Sequence, residues 1–229
     1  MKTGIYWQDP KYALKPGRGF IFDPSLVLYL PLHKLDGASI MSCDAYGHLC
    51  SVTGALWTPN GREFDASDDK ITVPDHSVLD IADDLTVEGW VQIFNTGGNN
   101  SILGKATTIW SQVSYTLQVW STEQPVFGLS SAGGAPSSLA GAVVSKGRWY
   151  HLCGTFKRPN RTLYVNGKLD KSDNWDNDIY VGTADLYIGR YAGNSATLDG
   201  MIGEVRIYNR ALTPLEIQQN YLATKWRYQ

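Results

Sequence analysis

The sequence predicts an all-β protein, an antiparallel β-sandwich or jelly roll of two sheets with one short C-terminal helix. Three observations point there. Apolar or alternating runs of strand length recur along most of the chain, separated by Gly, Pro, Asn and Asp. Charged residues make up only 18% of the 229, while 23 Gly, 13 Tyr and 8 Trp supply turn and strand formers. Helix start signals cluster convincingly in a single segment, close to the C-terminus.

The elements follow in order. Residues 1–24 read as an arm, punctuated by Pro10, Pro16, Gly17, Gly19 and Pro24 with no periodic run between them. LVLYLPL (26–32) has the length and near-continuous apolarity of a buried strand. SVTGALWT (51–58) comes next. EFDASDDKITV (63–73) then reads as a hairpin turning at Ser67, Asp68 and Asp69. LTVEGWVQIF (85–94) places Leu85, Val87, Gly89 and Val91 on one face, with Glu88, Trp90 and Gln92 on the other. SYTLQVW (114–120) alternates Tyr115, Leu117 and Val119 against Thr116, Gln118 and Trp120. WYHLCGTF (149–156) and RTLYVNG (161–167) are joined by the turn former KRPN, and the second ends in Asn-Gly, a strong hairpin signal. ADLYIG (184–189) and MIGEVRIYN (201–209) close the strand series. Thr213, Pro214 and Glu216 then form a T-P-x-E start with a capping box, and Ile217 and Tyr221 share one helix face. The organisation expected is an arm over 1–24, one domain over 25–222 and a C-terminal tail over 223–229.

Composition narrows the function classes. The 20 Lys+Arg against 22 Asp+Glu leave a net charge of −2 without a basic run, which argues against nucleic acid as a partner. An aromatic content of 12% with so small a net charge argues against disorder. No apolar run reaches the roughly 20 residues of a membrane span, and the N-terminus shows no signal-peptide h-region. Cys43 and Cys50 lie close enough in sequence for a disulfide or two free thiols, whereas Cys153 reads as a small core residue.

Four blocks in order carry a resemblance: LVLYLPL, FDASDDKITVPDHSVLDIADDLTVEGWV, GRWYHLCGTFKRPNRTLYVNGKL and LYIGRYAGNSATLDGMIGEVRIYNRALTPLEIQQNY. Together they resemble the laminin-G-like, concanavalin A-like jelly-roll family from about Ser25 to Tyr221. The resemblance implies a jelly-roll sandwich, and functions that range from lectins and adhesion modules to lyases, glucanases and virion proteins. It also implies a structural calcium in many members. Asp65, Asp68 and Asp69 form a carboxylate cluster that suits such a cation, although an Asp-rich turn accounts for the same residues. Gly203 stands where the family pattern carries an acidic residue, and the opening strand reads LPLHKLDG where many relatives carry an acidic residue at about His33; both departures count against an inherited calcium site. Asp176, Asn177 and Asp178 form a second cluster that reads as a solvated loop. Within the family blocks, Trp149 and Tyr150 read as core or edge aromatics, His151 as a structural histidine, and Asn166-Gly167 as a turn.

Catalysis finds little support in the sequence. Glu63, Asp65 and Asp68 imitate the paired carboxylates of glycosidases, but the turn takes Asp68 off the strand face. His33, His48, His76 and His151 are scattered, with no nucleophile motif beside them. The function expected is therefore a noncatalytic recognition module that binds glycans or a surface receptor through loops and an exposed sheet face. Trp110, Trp120 and Trp175 are its candidate platforms, since exposed indoles stack on sugar rings and anchor interfaces. The alternative is a structural component of an assembly, such as a phage virion decoration or tail protein, in which Tyr6, Trp7, Tyr12 and Phe20 of the arm contact a neighbouring subunit in a homo-oligomer. A polysaccharide hydrolase or lyase is the weaker third reading. The location expected is extracellular or virion-associated.

Overall fold

The computed structural model of the chain describes residues 23–108, 111–191 and 195–228. The arm residues Tyr6, Trp7, Tyr12 and Phe20, and Trp110, lie outside the described residues. Along the chain run β1 (Leu26–Leu30), β2 (Ser39–Met41), β3 (Leu49–Thr53), β4 (Leu56–Thr58), β5 (Gly61–Asp65), β6 (Lys70–Val73), β7 (Leu85–Ile93), β8 (Asn100–Lys105) and β9 (Tyr115–Val119). There follow β10 (Pro125–Leu129), β11 (Ser137–Ala140), β12 (Trp149–Lys157), β13 (Asn160–Val165), β14 (Lys168–Asn174), β15 (Leu186–Ile188), β16 (Arg190–Tyr191), β17 (Ser195–Thr197) and β18 (Asp199–Tyr208). One helix, α1 (Pro214–Thr224), closes the order, and a 3₁₀ turn over Lys225–Arg227 extends it. Among the described residues no helix is long and apolar enough to cross a membrane.

Two eight-stranded antiparallel sheets form the sandwich. The first has the order β14-β13-β12-β7-β18-β5-β4, and β1 also pairs with β18. The second has the order β11-β10-β9-β8-β15-β6-β3-β2. Their facing side chains make one core, with Val87, Val91, Leu152, Phe156, Val205 and Ile207 from the first sheet and Ile71, Leu103, Leu117, Phe127 and Ile188 from the second. Burying such branched and aromatic side chains in one contiguous cluster is the main stabilising term. Asn166 and Gly167, with φ of 52° and 71°, make the tight turn between β13 and β14 that their dipeptide predicts.

Two strand expectations are corrected. The 63–73 segment is not a hairpin: β5 pairs with β18 and β4 in the first sheet, whereas β6 pairs with β3 and β15 in the second. Its Asp-rich turn crosses between the layers, a job that uses the same turn residues as a hairpin. The 51–58 run is likewise divided between the two sheets, as the end of β3 and the whole of β4.

The central strands of the first sheet, β7, β12 and β18, are buried on both faces, and α1 supplies the second cover. Thr213 Oγ1 accepts from Glu216 N, and the Glu216 carboxylate accepts from Thr213 N at 2.7 Å, so the capping box forms as expected. Ile217 packs with Leu26, Cys153, Tyr164, Tyr208 and Leu212 on the outer face. Asn220 Nδ2 donates to Glu88 Oε1 at 3.0 Å and to the Tyr208 hydroxyl at 3.1 Å. Trp90 Nε1 donates to Thr224 Oγ1 at 2.8 Å, and the Tyr228 ring stacks on Trp90 at 4.6 Å. Thr224 and Tyr228 fall within the stretch expected to be a tail, and both are docked on the sheet.

Beneath that cover lies a buried charge network. Arg206 donates to Glu88 at 2.9 Å and to Glu204 at 2.8 Å, and His151 Nε2 sits 3.4 Å from Glu88 Oε2. Burial alone would raise the Glu88 pKa, but His151 and Arg206 hold it down at about 2. The network spans β7, β12 and β18 and fixes how the helix lies across them.

Candidate functional site: a loop rim with an aromatic cleft

Loops from both sheets converge where β7 ends and β18 begins. Phe94 N donates to Asp199 O, and Gly147 N donates to Ile93 O, both at 2.8 Å. Gln92 Nε2 donates to Gly147 O at 2.8 Å, holding the 142–148 segment against the sheet edge. The β9–β10 turn joins them: Ser121 N donates to Asn99 Oδ1 at 3.0 Å, and Val144 N to Glu123 O at 2.8 Å. The result is a continuous rim at one end of the sandwich.

Two clefts open on it. The first, of about 380 Å³, is lined by Gly147, Arg148, Trp149, Tyr150, Asn166 and Tyr228. Trp149 and Tyr150 are half-buried here because they open β12 at the sandwich edge. Their neighbours fix them. The Trp149 ring lies 4.8 Å from that of Tyr228, and the Tyr150 hydroxyl accepts from Ser145 N at 3.0 Å. The Tyr228 wall depends on Gly203, because a Cβ there would fall 2.3 Å from Tyr228 Cε1. Gly203 thus leaves the space into which Tyr228 packs. Desolvation raises the Tyr228 hydroxyl pKa, with Glu204 adding to the effect, so this wall is a neutral phenol.

Arg148 stands exposed at the cleft, and among the described residues no carboxylate pairs with it. Behind Tyr228, His33 Nδ1 lies 3.4 Å from Gly203 O and 3.5 Å from the Tyr228 hydroxyl. Desolvation, reinforced by the charge of Arg227, depresses the His33 pKa to about 4. The second cleft, of about 270 Å³, is lined by Ala66, Asn95, Gly97, Gly98, Asn99, Asn100, Ala196, Thr197 and Asp199. Asn100 pins it, donating to Asn95 O and Gly98 O while accepting from Asp199 N at 2.9 Å. Among the described residues no aromatic ring lines this cleft.

The structure sorts the sequence candidates. Trp120 is half-exposed on the β9–β10 turn, on the rim itself. Trp175 is no surface platform: it is 8% exposed, meets Phe156 edge-on at 5.3 Å and belongs to the main core. Its polar neighbours are occupied elsewhere, Asp173 with Arg161, and Asp176 and Asp178 with Arg158, which leaves the indole free to turn inward. Nor do Asp65, Asp68 and Asp69 converge on a cation position. Asp69 Oδ2 accepts from Asp65 N, and Asp65 Oδ1 from Ser67 N, so two of the carboxylates hold the turn. Among the described residues no group of three His, Cys, Asp or Glu is placed to hold a metal. Cys43, Cys50 and Cys153 are all free thiols. Sequence reasoning reads Trp149 and Tyr150 as core or edge aromatics and not as ligand platforms; the structure places both at the edge, where they line the cleft. The exposed Arg148 just before them is the signal that marks the start of β12 as an edge.

Comparison with known proteins agrees with this architecture. A family described as the concanavalin A-like lectin/glucanases superfamily matches residues 65–218. Among solved structures, a Trypanosoma rangeli sialidase complex is similar at a TM-score of 0.70 and 20% identity, covering 93% of this chain and 35% of that one. The binding domain of Paraclostridial Mosquitocidal Protein 1 is similar at 0.67 and 15%, covering 87% and 52%. The receptor binding domain of botulinum neurotoxin D is similar at 0.68 and 17%, covering 86% and 52%. The chain therefore spans between about a third and a half of the length of these structures, and identities this low establish a shared fold alone. No curated protein matches the sequence.

Proposed function

We propose, for a chain that belongs to the concanavalin A-like lectin/glucanases superfamily, that the loop rim is a noncatalytic recognition site for a glycan. The cleft of Arg148, Trp149, Tyr150, Asn166 and Tyr228 is the observation that carries this reading. Its aromatic walls offer flat apolar faces to a sugar ring, while the guanidinium and amide supply hydrogen bonds at the margin. Its volume of about 380 Å³ lies within the usual range for small-molecule sites. The names of the two toxin domains, one a binding domain and the other a receptor binding domain, support a recognition role. A noncatalytic role is favoured because Glu88 and Glu204, the carboxylates nearest the cleft's supporting sheet, are buried and engaged by Arg206. Glycoside chemistry needs two carboxyl groups that reach the substrate.

Titrating the protein with a panel of oligosaccharides, followed by tryptophan fluorescence and calorimetry, tests the reading. Saturable binding is expected for at least one sugar class, with loss of about tenfold or more in affinity in Trp149→Ala. A melting curve for that variant checks that the sandwich persists. A panel with no saturable binding, or binding indifferent to Trp149→Ala, overturns the assignment.

A further inference from the structure

We infer that the ligand of the Trp149 cleft is an anionic sugar, whose carboxylate or sulfate is received by Arg148 with Arg227 in support; this rests on the glycan reading above. The argument begins with unspent charge. Lys146, the other cation of the 142–148 segment, already meets Glu123 at 3.5 Å. Arg148, two residues on, has no carboxylate partner among the described residues and stands exposed beside two aromatic rings. A guanidinium so placed keeps its full donor set for an incoming anion, and arginine binds carboxylates and sulfated groups through paired N–H donors.

A second cation stands behind the same wall. Arg227 precedes Tyr228, its guanidinium lies 4.7 Å from the Trp226 ring centroid, and no carboxylate pairs with it among the described residues. It does not line the cleft, but as the residue next to Tyr228 it adds positive charge beside that wall. The nearest buried acid, Glu204, is already held by Arg206 at 2.8 Å. Of the acids on the rim, half-buried Asp199 belongs to the neighbouring Asn/Gly cleft, and Glu123 already meets Lys146. On a chain with a net charge of −2, this is a local positive site beside a sugar-shaped aromatic surface.

The test compares size-matched hexasaccharides that are neutral (maltohexaose), carboxylated (hexagalacturonate) and sulfated (a heparin fragment), titrated against the intact chain at ~0.02 M and ~0.3 M salt. Vesicles of phosphatidylserine and phosphatidylcholine form a separate arm. At low salt, at least one anionic hexasaccharide is expected to bind about tenfold tighter than the neutral one, with the advantage shrinking at high salt. In Arg148→Gln the ratio of anionic to neutral affinity should fall close to one. Arg148→Lys should keep part of it, and Arg227→Gln should reduce it by a smaller factor. Equal, Trp149-dependent binding of neutral and anionic sugars would overturn the inference and leave the glycan reading standing. A preference that survives in Arg148→Gln, or binding to anionic vesicles without binding to any oligosaccharide, also overturns it. Absence of Trp149-dependent binding to every sugar takes down the glycan reading itself.

Discussion

Replacing Gly203 with alanine puts the docking of Tyr228 to a quantitative test. The added Cβ would lie 2.3 Å from Cε1 and 2.5 Å from Cζ and the hydroxyl of Tyr228. Carbon atoms in contact sit about 3.5–4.0 Å apart, so the ring must retreat by more than an ångström or leave its site. Retreat is obstructed, because the ring stacks on Trp90 at 4.6 Å and meets Trp149 at 4.8 Å. Overpacking of a filled site costs about 1–3 kcal/mol. Undocking sets the ceiling: two aromatic contacts worth about 0.5–1.5 kcal/mol each, plus about 1.5–3 kcal/mol for the burial of one ring, limit the loss to ~6 kcal/mol. A destabilisation of about 2 kcal/mol is expected, read from urea unfolding followed by tryptophan fluorescence. Tyr228→Ala and the double variant complete the cycle. Once the ring is gone alanine has room, so Gly203→Ala should cost close to nothing in that background, and the coupling should be about 1–2 kcal/mol. Gly203→Ala should also weaken ligand binding at the Trp149 cleft, whose wall it displaces. Unfolding at the wild-type urea concentration, or an equal cost with and without Tyr228, would refute the steric reasoning.

Two further predictions concern the core and the charge network beneath α1. Glu88 takes up its proton near 2 in the folded chain against an ordinary value of 4.5. The unfolded state therefore binds more protons through that interval. The stabilisation, on the order of 3 kcal/mol, is complete above about 4.5 and lost as pH falls toward 2. Urea midpoints measured from pH 6 to pH 2 should fall accordingly, and a flat profile would contradict the network. Glu88→Gln should flatten the acid limb and cost about 3 kcal/mol at neutral pH, because Arg206 loses one of its two carboxylates. Trp175→Ala removes a core ring and should destabilise by about 3 kcal/mol while leaving sugar binding at the rim intact. A normal melting temperature with lost binding would return Trp175 to the surface.

What the sequence discloses depends on whether the governing interaction is local. Thr213, Pro214 and Glu216 make a cap from neighbours four residues apart, and Asn166-Gly167 makes a turn from two, so both are readable as letters. The alternation in β7 identifies its inner face equally well. Its outer face misleads, because Glu88 and Trp90 look solvated until a helix more than 120 residues later covers them. The crossing at 65–70 fails for a related reason: Asp and Ser build turns without specifying which sheet receives the next strand. Trp175 sits in a polar context whose charges prove to be engaged by Arg158 and Arg161. Trp149 is the converse, a family-pattern aromatic whose exposure depends on where β12 meets the edge and on Tyr228 arriving from the far end of the chain.

The pairing of β1 with β18 also sets how the domain would bear a mechanical load. Asn209 N donates to Ser25 O at 2.9 Å, and Leu26 pairs with Tyr208, so the chain enters the sandwich at the end of β18 remote from Asp199. Asp23 is held there by Arg210. Ten residues of β18, roughly 30 Å of strand, separate that entry point from the rim. A ligand gripped at the rim and a tether upstream of Asp23 would pull along the strand axis, loading the β1–β18 hydrogen bonds in shear. Bonds loaded in shear share the force and must yield together, whereas a hairpin pulled from its open end peels one bond at a time. Were the rim to grip a fixed surface and the chain to be tethered upstream of Asp23, the β1–β18 pairing would carry the load between them in shear.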